Sequence, residues 1–273
     1  MTQFSTRASL RYLIPSGEKP IYYASEGGAD AQLRINASFE DIVVDINDAR
    51  QLENPASLDK EGFELHSHSS GVTDFYALAS QQSFYEAELR ELALAITGSN
   101  EILVFDHTLR SDSSTIRSQH NSRETASVIH SDYTEASAEK RLRDLLSEDE
   151  AAERLQSRFA IINVWRSIAG KVVQTPMTCC DAQTLAEANV IPSERRAKDR
   201  IGELELVSFN PSHRWYYYPA MTEDEVLLIK TYDSARDGRA IRSAHTAFHD
   251  PSAPADAKPR ESIESRMLVF FDH

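Results

Sequence analysis

Residues 225–271 read EVLLIKTYDSARDGRAIRSAHTAFHDPSAPADAKPRESIESRMLVFF. Three runs inside this stretch, EVLLIKTYDS (225–234), SAHTAFHD (243–250) and SIESRMLVFF (262–271), are apolar or alternate apolar with polar. That is strand patterning, and turn-prone residues separate the runs. Working back toward the N-terminus, RWYYYPAM (214–221), GELELVSF (202–209) and FAIINVWRSI (159–168) repeat it. Several short strands following helices in the first half predict a mainly β protein, a sandwich or barrel with helices packed outside. Parallel α/β is the weaker option, because helices do not alternate regularly with these strands.

The helices lie upstream. Ser83–Thr97 places Phe84, Leu89, Leu92, Ala93 and Ile96 at helical spacing and stops at Gly98. It feeds a strand, EILVFDHTLR (101–110). The polar stretch Ser111–Glu124 reads as a loop over the mouth of a site. ASVIHSDYT (126–134) is a short strand running into a turn. A second helix is expected from Ser137 to about Ser157, broken near Ser147, with Leu142, Leu145, Leu146 and Leu155 on one face. Residues 1–80 mix short β-like pieces (PIYYAS, LRINAS, DIVVDI) with polar turns and read as an N-terminal lead-in layer to a core over about residues 100–273. At this length, 1–273 is expected to be one folding unit.

The balance of 29 Lys+Arg against 43 Asp+Glu gives a formal charge of −14. Such a chain repels a phosphate backbone, which argues against general nucleic-acid binding. No apolar run reaches the roughly 20 residues of a membrane span, and MTQFSTRASLRYLIPSGEKP lacks a signal-peptide core. A cytoplasmic protein without membrane attachment is expected, of open oligomeric state. Cys179 and Cys180 are adjacent in TPMTCCDA (175–182) and read as small core residues, with neither the geometry of a mutual disulfide nor the spacing of a zinc site.

His130-Ser131-Asp132 is an HxD at a strand end, where residues i and i+2 project to the same side. An imidazole and a carboxylate can therefore converge on one ion. His245, from a distant strand, is the best second imidazole. Two His and one carboxylate on one face of an octahedral Fe(II) leave adjacent positions open for a chelating 2-oxo acid and for O2. Downstream, Arg260-Glu261-Ser262 puts a guanidinium and a hydroxyl on one strand face, a sensible grip on the distal carboxylate of 2-oxoglutarate. Arg266 shares that face and is a second anchor candidate.

An HxD, a distal His, then an RxS on the last strand is the order found in Fe(II)/2-oxoglutarate-dependent oxygenases, and this sequence resembles them. NVWRS (163–167), WYYYPAM (215–221), DEVLLIKTYDS (224–234), AHTAFHDP (244–251) and PRESIESR (259–266) resemble segments of one group, the cephalosporin 7α-hydroxylase components and the fungal hydroxylase/desaturases related to gibberellin desaturase. The resemblance implies a double-stranded β-helix of jelly-roll or cupin-like form, His130, Asp132 and His245 as iron ligands, and Arg260 and Ser262 as co-substrate contacts. It implies hydroxylation or desaturation of a small molecule in specialised metabolism, with Fe(II), 2-oxoglutarate and O2. The group usually reads NxWRP where this chain has Ser167 after Arg166, so the turn loses a fixed backbone angle but keeps the Arg. Arg166 is open between a substrate carboxylate, 2-oxoglutarate and a structural ion pair; Asn163, Tyr217 and Lys230 are further substrate candidates.

Two other readings use the same residues: an iron oxygenase or oxidase that does not use 2-oxoglutarate, and a non-catalytic cupin-like binding protein. HTAFH (245–249) has two His four apart but lacks the Glu of a zinc-protease helix. His66 and His68 in ELHSHSS (64–70) sit in what reads as a Ser-rich loop with no third ligand nearby. No phosphate loop, GxSxG elbow or nucleotide fingerprint occurs.

Overall fold

The computed structural model describes residues 5–32, 34–198 and 200–272. In the first half the strands are β1 (Ser5–Ile14), β2 (Ile21–Tyr23), β3 (Arg34–Asn36), β4 (Ser38–Asp48), β5 (Phe63–Ser67), β6 (Glu101–Ser111) and β7 (His130–Ser131). In the second they are β8 (Phe159–Ser167), β9 (Met177–Cys180), β10 (Val190–Ala197), β11 (Arg200–Val207), β12 (Trp215–Tyr217), β13 (Glu225–Asp233), β14 (His245–Ala247) and β15 (Glu261–Phe270). Among the described residues the α-helices are α1 (Gln82–Thr97), α2 (Ser114–His120), α3 (Glu135–Leu145) and α4 (Glu148–Arg154).

The strands form two sheets, β5-β13-β8-β15-β6 and β1-β4-β12-β9-β14-β7-β11-β10-β2-β3. This is the double-stranded β-helix the sequence led us to expect. Between the sheets Phe63, Trp165, Leu227 and Ile229 of the smaller one meet Met177 and Cys179 of the larger. Strand alternation sends the neighbouring residues to the opposite face. There Ala160, Ile162, Val164, Ile263, Met267 and Val269 pack under Tyr85, Leu89 and Ala93 of α1. So β8 and β15 are buried on both faces, and their sequences run apolar rather than cleanly alternating.

Helix α1 ends as the sequence indicates, with Gly98 at φ +61° and its N–H bonded to Leu94 O at 3.1 Å. The expected break near Ser147 is the boundary between α3 and α4. Ser147 caps α4, accepting from Glu150 N while the Glu150 side chain reaches back to the Ser147 N–H. Ala138, Leu142 and Ala151 of these helices close over Phe159, Ile161, Tyr232 and Leu268.

Three local expectations change. The first 80 residues are not a separate layer: β4 pairs with β12 and β5 pairs with β13, extending both sheets. Ser111–Glu124 is not all loop, because Ser113 caps α2 within it. His66 lies in β5 and not in a loop. Both cysteines are buried and unpaired with each other. Among the described residues no helix is long and apolar enough to cross a membrane.

Candidate metal centre

His130 stands opposite His245 on neighbouring strands β7 and β14, and His245 stands opposite Cys179 on β9. Residues directly across a ladder project to the same face. The two imidazoles are therefore brought together by pairing, with ring centroids 4.5 Å apart. Asp132 follows β7 and turns its Oδ1 to 3.6 Å from His130 Nε2. One ligand atom from each of the three lies within 4.8 Å of the others.

Each group is prepared by its surroundings. His130 Nδ1 donates to Val128 O at 2.8 Å, which leaves Nε2 as the free lone pair facing the cluster. Burial, and then His245, push this imidazole down to about 3 against the pull of Asp132, so it is neutral at neutral pH. Asp132 Oδ2 accepts from Arg266 Nε and from Asn163 Nδ2, each at 2.8 Å. Burial raises the Asp132 carboxyl, but Arg266, the two imidazoles and the Asn163 bond outweigh it and hold it well below the ordinary range. His245 is 1% exposed, and its Nδ1 is buried with no hydrogen-bond partner. A neutral His130 imidazole, an ionised Asp132 carboxylate and a buried His245 nitrogen without a partner suit a divalent cation.

Arg260, just before β15, and Ser262, Glu264 and Arg266 within it lie at every second position. Arg260 is 2% exposed and stacks over Trp165 at 5.3 Å. It gives only Nη1 to a protein acceptor, Thr175 O at 2.9 Å. Its Nε and Nη2, Ser262 Oγ and Trp165 Nε1 are buried without partners. Burial pushes the Arg260 guanidinium down to about 10, the mark of a cation short of a counterion. Such a cluster of orphaned donors is the cradle a carboxylate would fill.

The remaining sequence candidates separate. Arg266 is not an anchor for a co-substrate: Asp132, Asp106 at 2.8 Å and Glu264 at 2.7 Å already occupy its guanidinium. Asn163 faces inward, where its Nδ2 donates to Asp132 and, at 2.6 Å, to Glu264, while its Oδ1 is buried without a partner. Arg166 falls on the opposite face of β8, where its guanidinium meets His68 and lies over the rings of Tyr85 and Phe75. Lys230 also points away from the triad, held at 2.8 Å by both Asp59 and Asp233 where a bulge interrupts β13. Tyr217 is off by one residue. Tyr216 shares the face of Cys179 and the inter-sheet core, whereas Tyr217 pairs with Thr178 and packs on Phe248 on the other side. Sequence reasoning missed Glu264 and Asp106, the acids that complete the Arg266 network; two-residue spacing from Ser262 and Arg266 would have found the first.

Comparison with known proteins bears on the same face of the fold. A family model described as an oxidoreductase/YMDC permease-like domain matches residues 10–270. The hydroxylase/desaturase efuI of Hormonema carpetanum is 32% identical over 268 residues, covering 90% of this chain and 88% of that protein. The hydroxylase/desaturase CTB9 of Cercospora beticola is 31% identical over 255 residues, 86% of this chain and 78% of that protein. The chain belongs to the family of Fe(II)/2-oxoglutarate-dependent hydroxylase/desaturases. Another relative, the Fe(II)/2-oxoglutarate-dependent dioxygenase nvfI of Aspergillus novofumigatus, is 30% identical over 263 residues, 93% of this chain and 92% of that protein. A solved structure of the iron and alpha-ketoglutarate-dependent endoperoxidase NvfI superposes with a TM-score of 0.84 at 27% identity, over 99% of both chains.

Proposed function

We propose that this family member holds Fe(II) through His130, Asp132 and His245 and grips the distal carboxylate of 2-oxoglutarate through Arg260 and Ser262. The chain is a dioxygenase that hydroxylates or desaturates a small molecule. The observation that carries the site assignment is the convergence of three ligand atoms within 4.8 Å, one His245 nitrogen among them unpartnered, beside a buried guanidinium with two nitrogens and a neighbouring hydroxyl unspent. Bound together, Fe(II) and 2-oxoglutarate supply O2 activation, with 2-oxoglutarate leaving as succinate and CO2.

This chain's own part is positioning. His130 is kept neutral and oriented by Val128 O. Asp132 is fixed by the Arg266 and Asn163 bonds, so one oxygen serves the network and the other faces the imidazoles. Arg260, stacked on Trp165, presents Nε and Nη2 in a fixed fork to an incoming carboxylate. The surrounding inter-sheet core keeps bulk water away. Within the family, we read the chain as nearest the cephalosporin 7α-hydroxylase components and gibberellin desaturase-related enzymes, on the strength of its NVWRS, WYYYPAM and PRESIESR segments.

Anaerobic addition of Fe(II) and then 2-oxoglutarate to apo protein should raise a weak visible charge-transfer band. His130→Ala should abolish it with the circular dichroism unchanged. Arg260→Gln should weaken 2-oxoglutarate binding by about 10–100-fold while iron binding persists. Iron binding without the band would defeat the 2-oxoglutarate assignment, and unchanged 2-oxoglutarate affinity in Arg260→Gln would defeat the anchor.

A further inference from the structure

A cavity of about 60 Å³ opens on the side of Asp132 and Arg266, and three more arginines line it: Arg141 of α3, Arg195 of β10 and Arg200 of β11. The acids nearby are already engaged. Asp106 and Asp132 are paired with Arg266, and Glu203 is taken by Lys19 and by Thr134 Oγ1. Among the described residues none of the three arginines is paired with a carboxylate; Arg141 hydrogen-bonds only the Tyr133 hydroxyl. Arg141 lies over the Phe105 ring at 5.1 Å, and its Nε, like that of Arg200, is buried without an acceptor. Among the described residues Arg195 makes no side-chain hydrogen bond or ion pair.

That is unusual in a chain with 43 acidic residues against 29 basic ones, where Arg158, Arg214 and Arg242 all find carboxylates. Gly202 faces Arg195 across the β10–β11 ladder, and a side chain there would grow toward the Arg200 guanidinium, whose Nη2 lies 3.5 Å from an ideal Cβ. The space is left open at the point where the cations gather. Crowding of like charge extends to Arg123, whose guanidinium is lowered by burial and then by Arg110 and Arg195.

We propose that this cavity receives an anionic group of the substrate, a carboxylate on the small molecule to be oxidised, and so fixes which of its carbons lies beside the triad. The proposal rests on the reading of His130, Asp132 and His245 as the iron site. A guanidinium cluster selects an anion by charge-assisted hydrogen bonds, and a volume of this size admits a carboxylate but not a ring.

The test is succinate release with Fe(II), O2 and 2-oxoglutarate across a panel of terpenoid, aromatic and peptide-derived acids, each run beside its methyl ester. At least one acid should stimulate release about tenfold or more over its ester. Arg195→Gln and Arg200→Gln should each erase that preference, and Arg195→Lys should restore part of it, all with 2-oxoglutarate affinity and the charge-transfer band unchanged. Esters that serve as well as acids, or a panel in which no acid acts, would overturn the proposal. So would a loss of 2-oxoglutarate affinity in the Arg195 variant, which would make the cavity the co-substrate site. Absence of the charge-transfer band in the unmodified protein would instead remove the iron reading beneath it.

Discussion

Arg266 shows how much one side chain can decide beside the His130–Asp132–His245 cluster. Its guanidinium ties Asp132, Asp106 and Glu264 together, and Asn163 bridges Asp132 to Glu264 from β8. Replacing it leaves Asp132 held by Asn163 alone and leaves the buried Glu264 with only Arg110, at 3.9 Å, as a counterion. Arg266→Met should weaken Fe(II) binding by about 10–100-fold in anaerobic titration, the usual cost of losing a ligand's supporting bond. Arg166→Met should leave iron and 2-oxoglutarate binding unaltered, because that side chain lies under α1. HxD spacing singled out His130 and Asp132, which the structure brings together with His245, and the orphaned donors at Arg260 and Ser262 suit the role read from the RxS. Direction was harder to read. In a run such as WYYY every residue is aromatic, so nothing local says which ring faces inward, and a one-residue error turns Tyr216 into Tyr217.

At the level of elements, what could be read followed from strong local signals. The α1 stripe and Gly98, and the Ser147 break between α3 and α4, combine periodicity with capping chemistry, and both stand where expected. Strands β9 and β10 were not seen, because MTCC and VIPSERRA carry no clean alternation; pairing with neighbours already in the sheet makes them strands. The N-terminal pieces are hard to place for the related reason that β2 and β4 gain their meaning from partners far along the chain, β10 and β12. The Ser147 cap gives a test confined to its element. Ser147→Ala should cost about 1 kcal/mol in chemical denaturation, with the charge-transfer band undisturbed.

Across the whole molecule, charge is placed unevenly. Most acids are exposed, but Asp233 is fully buried between Arg158 at 2.7 Å and Lys230 at 2.8 Å. Burial raises its carboxyl, yet the two cations and the Ala235 N–H outweigh this and hold it below the ordinary value of 3.8. A carboxyl depressed in the folded state contributes stability above its unfolded value and loses it as pH falls through the folded one. Asp233→Asn should therefore destabilise by roughly 3 kcal/mol at neutral pH, leaving Lys230 buried with only the exposed Asp59 as counterion. The gap between variant and parent, followed by thermal melts, should narrow as the pH drops below 4. No such pair was visible beforehand, since Lys230 in EVLLIKTYDS reads equally well as a lining residue.

The rung that sets His130 against His245 has one more consequence. Because both imidazoles are delivered by a single line of cross-strand pairing, the centre is stored in the alignment of two short strands and not in either one. A slip of β14 by one residue would offer Ala244 or Thr246 to the ion in place of the imidazole. Damage to this alignment should therefore behave as a switch, with molecules either fully loaded or empty and no population of half-strength sites between them.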